Sequence, residues 1–239
     1  MLAARLLMEQ GIEVTGLSFK SHFFGTAKGK KVAGQLGIKH IEVDFSDEHL
    51  AMVKNPKYGY GKNMNPCIDC HAMMLKKARE IMENPPSPLY QGGKYDFIAT
   101  GEVLGERPMS QNAGALKTVE KEAGLIGRLI RPLSAKLLDE SDLEKSGLVN
   151  RGKLLDLSGR SRKRQLELVK KYGIKEYASP GGGCLLTDPG FSEKLKKMFE
   201  YWPKCQGNDI VILKYGRIFW LKDLAGEYVL IIVGREKAD

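Results

Sequence analysis

Ile12-Glu13-Val14-Thr15-Gly16-Leu17-Ser18-Phe19 is an apolar, β-branched run that starts directly after Gly11, and it reads as a strand. Helical patterns flank it on both sides. Leu2 to Gln10 precedes it and closes at Gly11, while Ala27 to Leu36 follows and closes at Gly37. His40-Ile41-Glu42-Val43-Asp44-Phe45 then supplies a second strand. Strands joined through a helix pair in parallel, so this stretch decides an α/β fold with a parallel sheet. Tyr95-Asp96-Phe97-Ile98-Ala99-Thr100 reads as a third, buried strand that ends in Thr100-Gly101-Glu102. Parallel sheets bind ligands at the carboxyl ends of their strands, which makes that turn part of a candidate crevice.

Between the second and third strands, a loop rich in Gly, Asn, Lys and Tyr (Asn55 to Asn65) leads through Pro66 into a helix expected from Cys67 to Met82. A Pro85-Pro86-Ser87-Pro88 break follows. Beyond Arg131-Pro132-Leu133 the chain reads as helical and charged through Gly147. The last thirty residues hold three β-type runs, Asp209 to Leu213, Arg217 to Leu221 and Tyr228 to Val233, which suggest an antiparallel meander. The expected division is therefore an α/β domain over residues 1–190 and a small β unit over residues 191–239.

The 239 residues are 42% apolar, enough for one sizeable core and an appendage. No run approaches the ~18 apolar residues of a membrane span, and Met1-Leu2-Ala3-Ala4-Arg5-Leu6-Leu7 is too soon polar for a secretory signal. A cytoplasmic protein is expected, with no membrane partner, and there thiols stay reduced and serve metals or catalysis before disulfides. The net charge of +9 is concentrated: residues 151–175 hold nine Lys or Arg against Asp156 and Glu167. Arg160, Arg162, Lys163, Arg164, Lys170 and Lys171 lie on a helix whose apolar stripe is Leu166, Val169 and Tyr172. A polyanion such as RNA fits that basic start, and a merely solvated face is the plainer alternative.

Cys67 and Cys70 stand at the mouth of a helix in Asn65-Pro66-Cys67-Ile68-Asp69-Cys70-His71, and Cys184 follows Gly181-Gly182-Gly183. A helix start offers free amide N–H groups to negative charge, which suits thiolate chemistry of either kind, nucleophilic or metal-binding. Three thiolates could hold a [4Fe-4S] cluster with one iron open to sulfide. A catalytic cysteine pair and a zinc site completed by His71 or Cys205 remain open beside it. Cys205 in Trp202-Pro203-Lys204-Cys205 reads as a plain buried cysteine, and His22, His40 and His49 receive no role.

Taken together, the Cys67 to His71 run, Ile98-Ala99-Thr100-Gly101-Glu102 continuing to Ser110-Gln111-Asn112, and Leu129-Ile130-Arg131-Pro132-Leu133 resemble the adenine-nucleotide domain of the PP-loop tRNA sulfurtransferases. The Thr-Gly-Glu, Ser-Gln and Arg-Pro-Leu elements are similar to 4-thiouridine synthases. The Asn65-Pro66-Cys67 to Cys70 stretch and the late Gly-Gly-Cys184 are similar to 2-thiouridylases. The likeness covers roughly residues 1–190 and implies a Rossmann-like PP-loop domain. It also implies an enzyme that adenylates a tRNA uridine with ATP and Mg²⁺ and lets sulfide, or a persulfide from a cysteine desulfurase or carrier protein, displace AMP. By position Cys70 and Cys184 match the two cysteines of the 2-thiouridylases, and the set with Cys67 is similar to the iron-sulfur-dependent members.

On this resemblance Leu17, Ser18, Phe19, Thr100 and Gly101 are expected to line the adenine and ribose crevice, with Ser110 and Gln111 near the activated base. The basic helix would hold the tRNA. The C-terminal unit, with Gly216-Arg217 and Val233-Gly234-Arg235, either assists RNA binding or simply packs. One departure stands out: the family's Ser-Gly-Gly-x-Asp-Ser phosphate loop is absent from the 239 residues. The expectation is that the first strand and its loop are cut off, which would expose an apolar edge that a homodimer could cover. The rival expectation is a non-catalytic RNA-binding protein with a structural zinc.

Overall fold

Helix and strand alternate as the pattern predicts. The computed structural model describes residues 1–85, 95–177 and 184–234. The features at Pro86-Ser87-Pro88, Gly181-Gly182-Gly183 and Arg235 lie outside these residues. In chain order, α1 (Leu2–Met8) is followed by β1 (Thr15–Lys20), α2 (Ala27–Leu36), β2 (Lys39–Asp44), α3 (Ser46–Lys54) and α4 (Cys67–Glu83). β1 and β2 are neighbours in one sheet. α2 closes at Gly37, whose φ of 66° is the left-handed cap that glycine adopts without strain. Earlier on the same helix, Gly29 lies against Ser18 of β1, where an added Cβ would overlap the Ser18 hydroxyl.

The next pair is β3 (Ile98–Ala99) and β4 (Leu129–Ile130), with α5 (Ala113–Ala123) between them in sequence. They run parallel, Ile98 opposite Leu129 and Ala99 opposite Ile130. Asn112 caps α5 by accepting the Ala115 amide at 2.9 Å. Leu129 joins Leu75, Met82, Val119, Ala123 and Leu125, whereas Ile130 joins Leu7, Ala135, Leu143, Val149 and Leu154. Successive side chains of a strand point to opposite faces, so even this short strand is buried on both sides, and its carboxyl end is held firmly.

The chain divides into two units. The first comprises Met1–Ser18, Thr26–Val43 and Cys67–Ser179, and the second Phe19–Gly25, Asp44–Pro66 and Pro180–Asp239. Each is assembled from three stretches, whereas the sequence reading drew one cut between residues 190 and 191. After β4 the first unit contains α6 (Asp142–Lys145) and α7 (Lys163–Lys171). The second unit adds α8 (Pro189–Tyr201), α9 (Gly207–Ile212), β5 (Arg217–Lys222) and β6 (Tyr228–Val233). Its core gathers Phe23, Leu50, Val53, Phe191, Leu195, Met198 and Ile210, among others. Within it His49 is fully buried, its Nδ1 2.7 Å from Ser21 Oγ and its ring stacked on Phe45 at 4.9 Å, with Phe23 and Phe24 edge-on.

Several boundaries differ from the sequence expectation. Asp209 to Leu213, expected as a strand, is instead helical through Ile212 in α9 with Leu213 as its C-cap, because the Gln206 amide donates to Asp209 Oδ2 at 2.6 Å and Ile210 and Leu213 turn together into the core. The three-run meander is consequently the two-stranded antiparallel hairpin β5–β6, anchored by Tyr201 stacked on Tyr228 at 3.9 Å. Ile12 and Val14 pack against the core ahead of β1 instead of within it, and the third strand is confined to Ile98–Ala99. From Leu133 to Gly147 the expected helical stretch is a turn at Ala135–Leu137 and the short α6. No helix among the described residues is long and apolar enough to cross a membrane.

Candidate functional site

Thr100-Gly101-Glu102 leaves β3 and Arg131 leaves β4 at the same carboxyl edge, because the two strands are parallel and in register. Both charged side chains are buried, Glu102 at 8% exposed and Arg131 at 5%. A buried ion is tolerable only when paired and hydrogen-bonded, and this pair is. Arg131 Nε donates to Glu102 Oε2 at 3.0 Å, Nη1 to Glu120 Oε2 at 2.9 Å, and Nη2 to the Leu116 carbonyl at 3.2 Å. Thr100 Oγ1 donates to Glu102 Oε2 at 2.9 Å. The remaining oxygen, Oε1, receives His71 Nδ1 at 2.9 Å, which fixes the imidazole with its proton on Nδ1, since a carboxylate only accepts.

Burial by itself would raise the Glu102 carboxyl. His71, Arg131 and Thr100 together outweigh it and hold the group at about 2. Glu102 therefore remains a carboxylate near neutral pH. Its geometric role is specific: His71 lies in the first turns of α4, so its hydrogen bond to Glu102 pins the cysteine-bearing helix start to the strand ends. Cys67 is half-buried and Cys70 is buried at 6% exposed. At i and i+3 on a helix the two are surface neighbours, and a soft thiolate pair fits a soft metal as well as sulfur transfer.

Cys184 belongs to the second unit, where it packs half-buried beside Leu185 and Leu186. Within either unit no group of three or more His, Cys, Asp or Glu among the described residues assembles a metal site. Burial pushes the Cys205 thiol up, and the Lys54 ammonium donates to the Cys205 carbonyl at 2.6 Å, so this cysteine serves the core.

Of the expected crevice residues, Leu17 and Ser18 stand in the first unit and Phe19 in the second. Ser18 Oγ is 2.9 Å from His40 Nε2, and Phe19 packs on Phe45 at 5.2 Å. Gly101 faces open space. Ser110 and Gln111 are both buried, yet Ser110 Oγ and Gln111 Oε1 find no hydrogen-bond partner among the described residues. Buried polar atoms left unmatched mark a place where water or a bound molecule completes the bonding. The basic helix is α7, with Val169 buried as its stripe predicts, while Arg160, Lys163, Arg164, Lys170 and Lys171 are exposed and Arg162 is half-buried. Arg164 is tied to Asp156 at 2.5 Å.

With this geometry in view, comparison with known proteins points one way. The chain is 25% identical over 170 residues to a tRNA-specific 2-thiouridylase of Fusobacterium nucleatum, covering 69% of this chain and 44% of the relative. It is 31% identical over 114 residues to the corresponding protein of Dehalococcoides mccartyi, covering 42% and 30%. Against that of Treponema denticola it is 32% identical over 84 residues, covering 30% and 23%. The chain is similar to tRNA-thiolating proteins. It spans less than half the length of these curated relatives. No family model and no solved structure matches it.

The sequence pattern marks Thr-Gly-Glu as a strand end, but it names no strand before Arg-Pro-Leu, where β4 lies, and gives no role to Glu102, Arg131, Glu120 or the His71 bond. The available signal was a charge immediately after each of two buried strands. Such charges can be buried only if they meet each other.

Proposed function

We propose that this chain carries out, or forms part of an assembly that carries out, ATP-dependent thiolation of a tRNA uridine. The observation that carries the reading is the His71–Glu102–Arg131 link, which holds the Cys67/Cys70 helix start at the carboxyl ends of β3 and β4, where a parallel sheet receives its ligands. The similarity to 2-thiouridylases supplies the reaction class. In that reaction ATP adenylates the uridine carbonyl oxygen with loss of pyrophosphate, a sulfur nucleophile adds at the ring carbon, and AMP leaves with the oxygen. Cys70 and Cys184 are the residues proposed to handle the sulfur. The unmatched Ser110 and Gln111 atoms are proposed to meet the nucleotide or base. Exposed α7 is proposed to hold tRNA phosphates.

Cys67, Cys70 and Cys184 are the thiolates that would hold a [4Fe-4S] cluster, and with only three protein ligands such a cluster would supply an iron able to bind sulfide. Zinc is the alternative occupant.

The test is thionucleoside formation on unmodified tRNA with ATP, Mg²⁺ and sulfide, using anaerobically prepared protein whose iron and zinc are measured. Cys70→Ala and Cys184→Ala should abolish product, and iron should fall with either. A colourless protein with stoichiometric zinc, no ATP–pyrophosphate exchange and intact tRNA binding would replace this reading with the non-catalytic one.

A further inference from the structure

Residues 55–65, between α3 and α4, form the loop that delivers the chain to Cys67. They include Lys57, Tyr58, Tyr60 and Lys62 at exposed positions and no acidic residue. Tyr58 is 40% exposed and Tyr60 39%. The backbone beneath these rings is fixed. Gly61 N donates to the Asn65 carbonyl at 2.8 Å and Gly59 N to that of Pro56 at 3.3 Å. Asn63, at a φ of 63°, donates from Nδ2 to the Thr187 carbonyl at 2.9 Å, and buried Met64 places its amide 3.4 Å from Ser192 Oγ. The Tyr60 hydroxyl donates to the Val53 carbonyl at 2.5 Å, so this residue offers its ring and not its hydroxyl. Lys57 Nζ lies 5.2 Å from the Tyr58 ring centroid.

We propose that this loop is a stacking platform for unpaired RNA bases, with Tyr58 and Tyr60 receiving base faces and Lys57 and Lys62 the adjoining phosphates. The proposal rests on the tRNA reading above and adds to it which part of the chain receives single-stranded nucleotides. Exposed aromatic rings on a fixed backbone, in a stretch that carries two lysines and no acidic residue of its own, match single-stranded RNA, whose bases each present a π-face and whose backbone is anionic. Duplex RNA hides those faces and offers phosphate and 2′-hydroxyl groups instead, so rings discriminate in favour of unpaired segments. Prior fixation of the loop reduces the entropy lost on binding.

The experiment uses the full chain and two fluorescent RNAs of equal phosphate number. One is a hairpin with a uridine-containing seven-nucleotide loop bearing 2-aminopurine, and the other is a blunt duplex. Wild type should bind the hairpin and quench the 2-aminopurine. Tyr58→Ala should weaken hairpin binding about ten-fold and remove most of the quench, with duplex affinity unchanged within about two-fold. Tyr58→Phe should match wild type, because the ring is retained. Lys57→Ala combined with Lys62→Ala should flatten the salt dependence by about 1.4 in log–log slope, at ~0.7 per single-strand contact. Far-UV circular dichroism verifies that each variant folds. Wild-type binding and quench by Tyr58→Ala, or equal losses on hairpin and duplex, would overturn the platform while leaving the tRNA reading intact. A wild-type protein that binds neither RNA would remove both.

Discussion

In the first unit a carboxylate and a guanidinium, Glu102 and Arg131, are buried as ions because each finds the other and further polar partners at hydrogen-bond distance. In the second unit His49 is buried as a neutral ring, stacked on Phe45 and edged by Phe23 and Phe24, with Ser21 as its polar neighbour. Burial pushes the His49 imidazole down to about 4, and nearby His22 adds to that. The same low-dielectric penalty thus has two outcomes: Glu102 and Arg131 hold their charge through each other and further polar partners, whereas burial, with nearby His22, drives the charge off His49. The retained charges sit at strand ends beside the cysteine helix, where chemistry is proposed. The suppressed one lies within an aromatic core and helps shape it.

The largest test of this contrast is Glu102→Gln, which leaves Arg131 buried with its main counter-charge gone. We expect a loss of about 3–5 kcal/mol in urea unfolding, and a loss under about 1 kcal/mol would show that the pair does not govern the first unit. Acidification should then separate the two units. The folded value of His49 lies below its usual 6.5, so its contribution is complete above about 6.5 and is lost as pH falls towards 4. Glu102 is also depressed, from 4.5, so its contribution is complete above about 4.5 and is lost as pH falls towards 2. Each is worth about 3 kcal/mol as an order of magnitude. Trp202 and Trp220 both belong to the second unit, so their fluorescence should report weakening between pH 6.5 and 4, and His49→Phe should abolish that dependence.

The largely exposed charges at the start of α7 should behave differently from both. Replacing Arg162, Lys163 and Arg164 with Ala should change stability by less than about 1 kcal/mol, because surface pairs such as Arg164–Asp156 contribute little. If all three meet phosphates, it should flatten the salt slope of tRNA binding by ~2–3 units. Unchanged affinity and slope would make α7 a solvated face. Smallest in the second unit is Asp209→Ala, expected to cost about 1 kcal/mol through loss of the cap that makes α9 a helix.

That last position shows where sequence reading stops. Ile210-Val211-Ile212-Leu213 has the composition of a strand, and the bond from Gln206 to Asp209 together with the burial of Ile210 and Leu213 tips it into a helix, a capping and tertiary effect that propensity does not register. The elements with clear punctuation were legible: α2 ends at Gly37, and α4 starts after Pro66 at Cys67. The end of β3 was legible as a place, but two-residue β4 was not, and neither was the partnership of their charges, since which buried charge meets which depends on the register of β3 against β4. Cys67 and Cys70 were legible as neighbours, because three residues separate them at the start of one helix. Cys184 is joined to them by residue type and by family likeness, with no local spacing to tie it, and it folds with a different unit.

At Gly29 the missing side chain has a genetic consequence. Ser18 holds His40 at 2.9 Å, and the same hydroxyl occupies the space that a Gly29 methyl group would need, whereas Gly34 on the same helix faces open space. Two codons in one helix therefore respond oppositely to the same mutation. A Gly34→Ala lineage should gain up to about 1 kcal/mol from helix propensity and spread freely through a mutational library. A Gly29→Ala lineage must first displace Ser18 and should be depleted unless a second change, such as Ser18→Gly, appears with it.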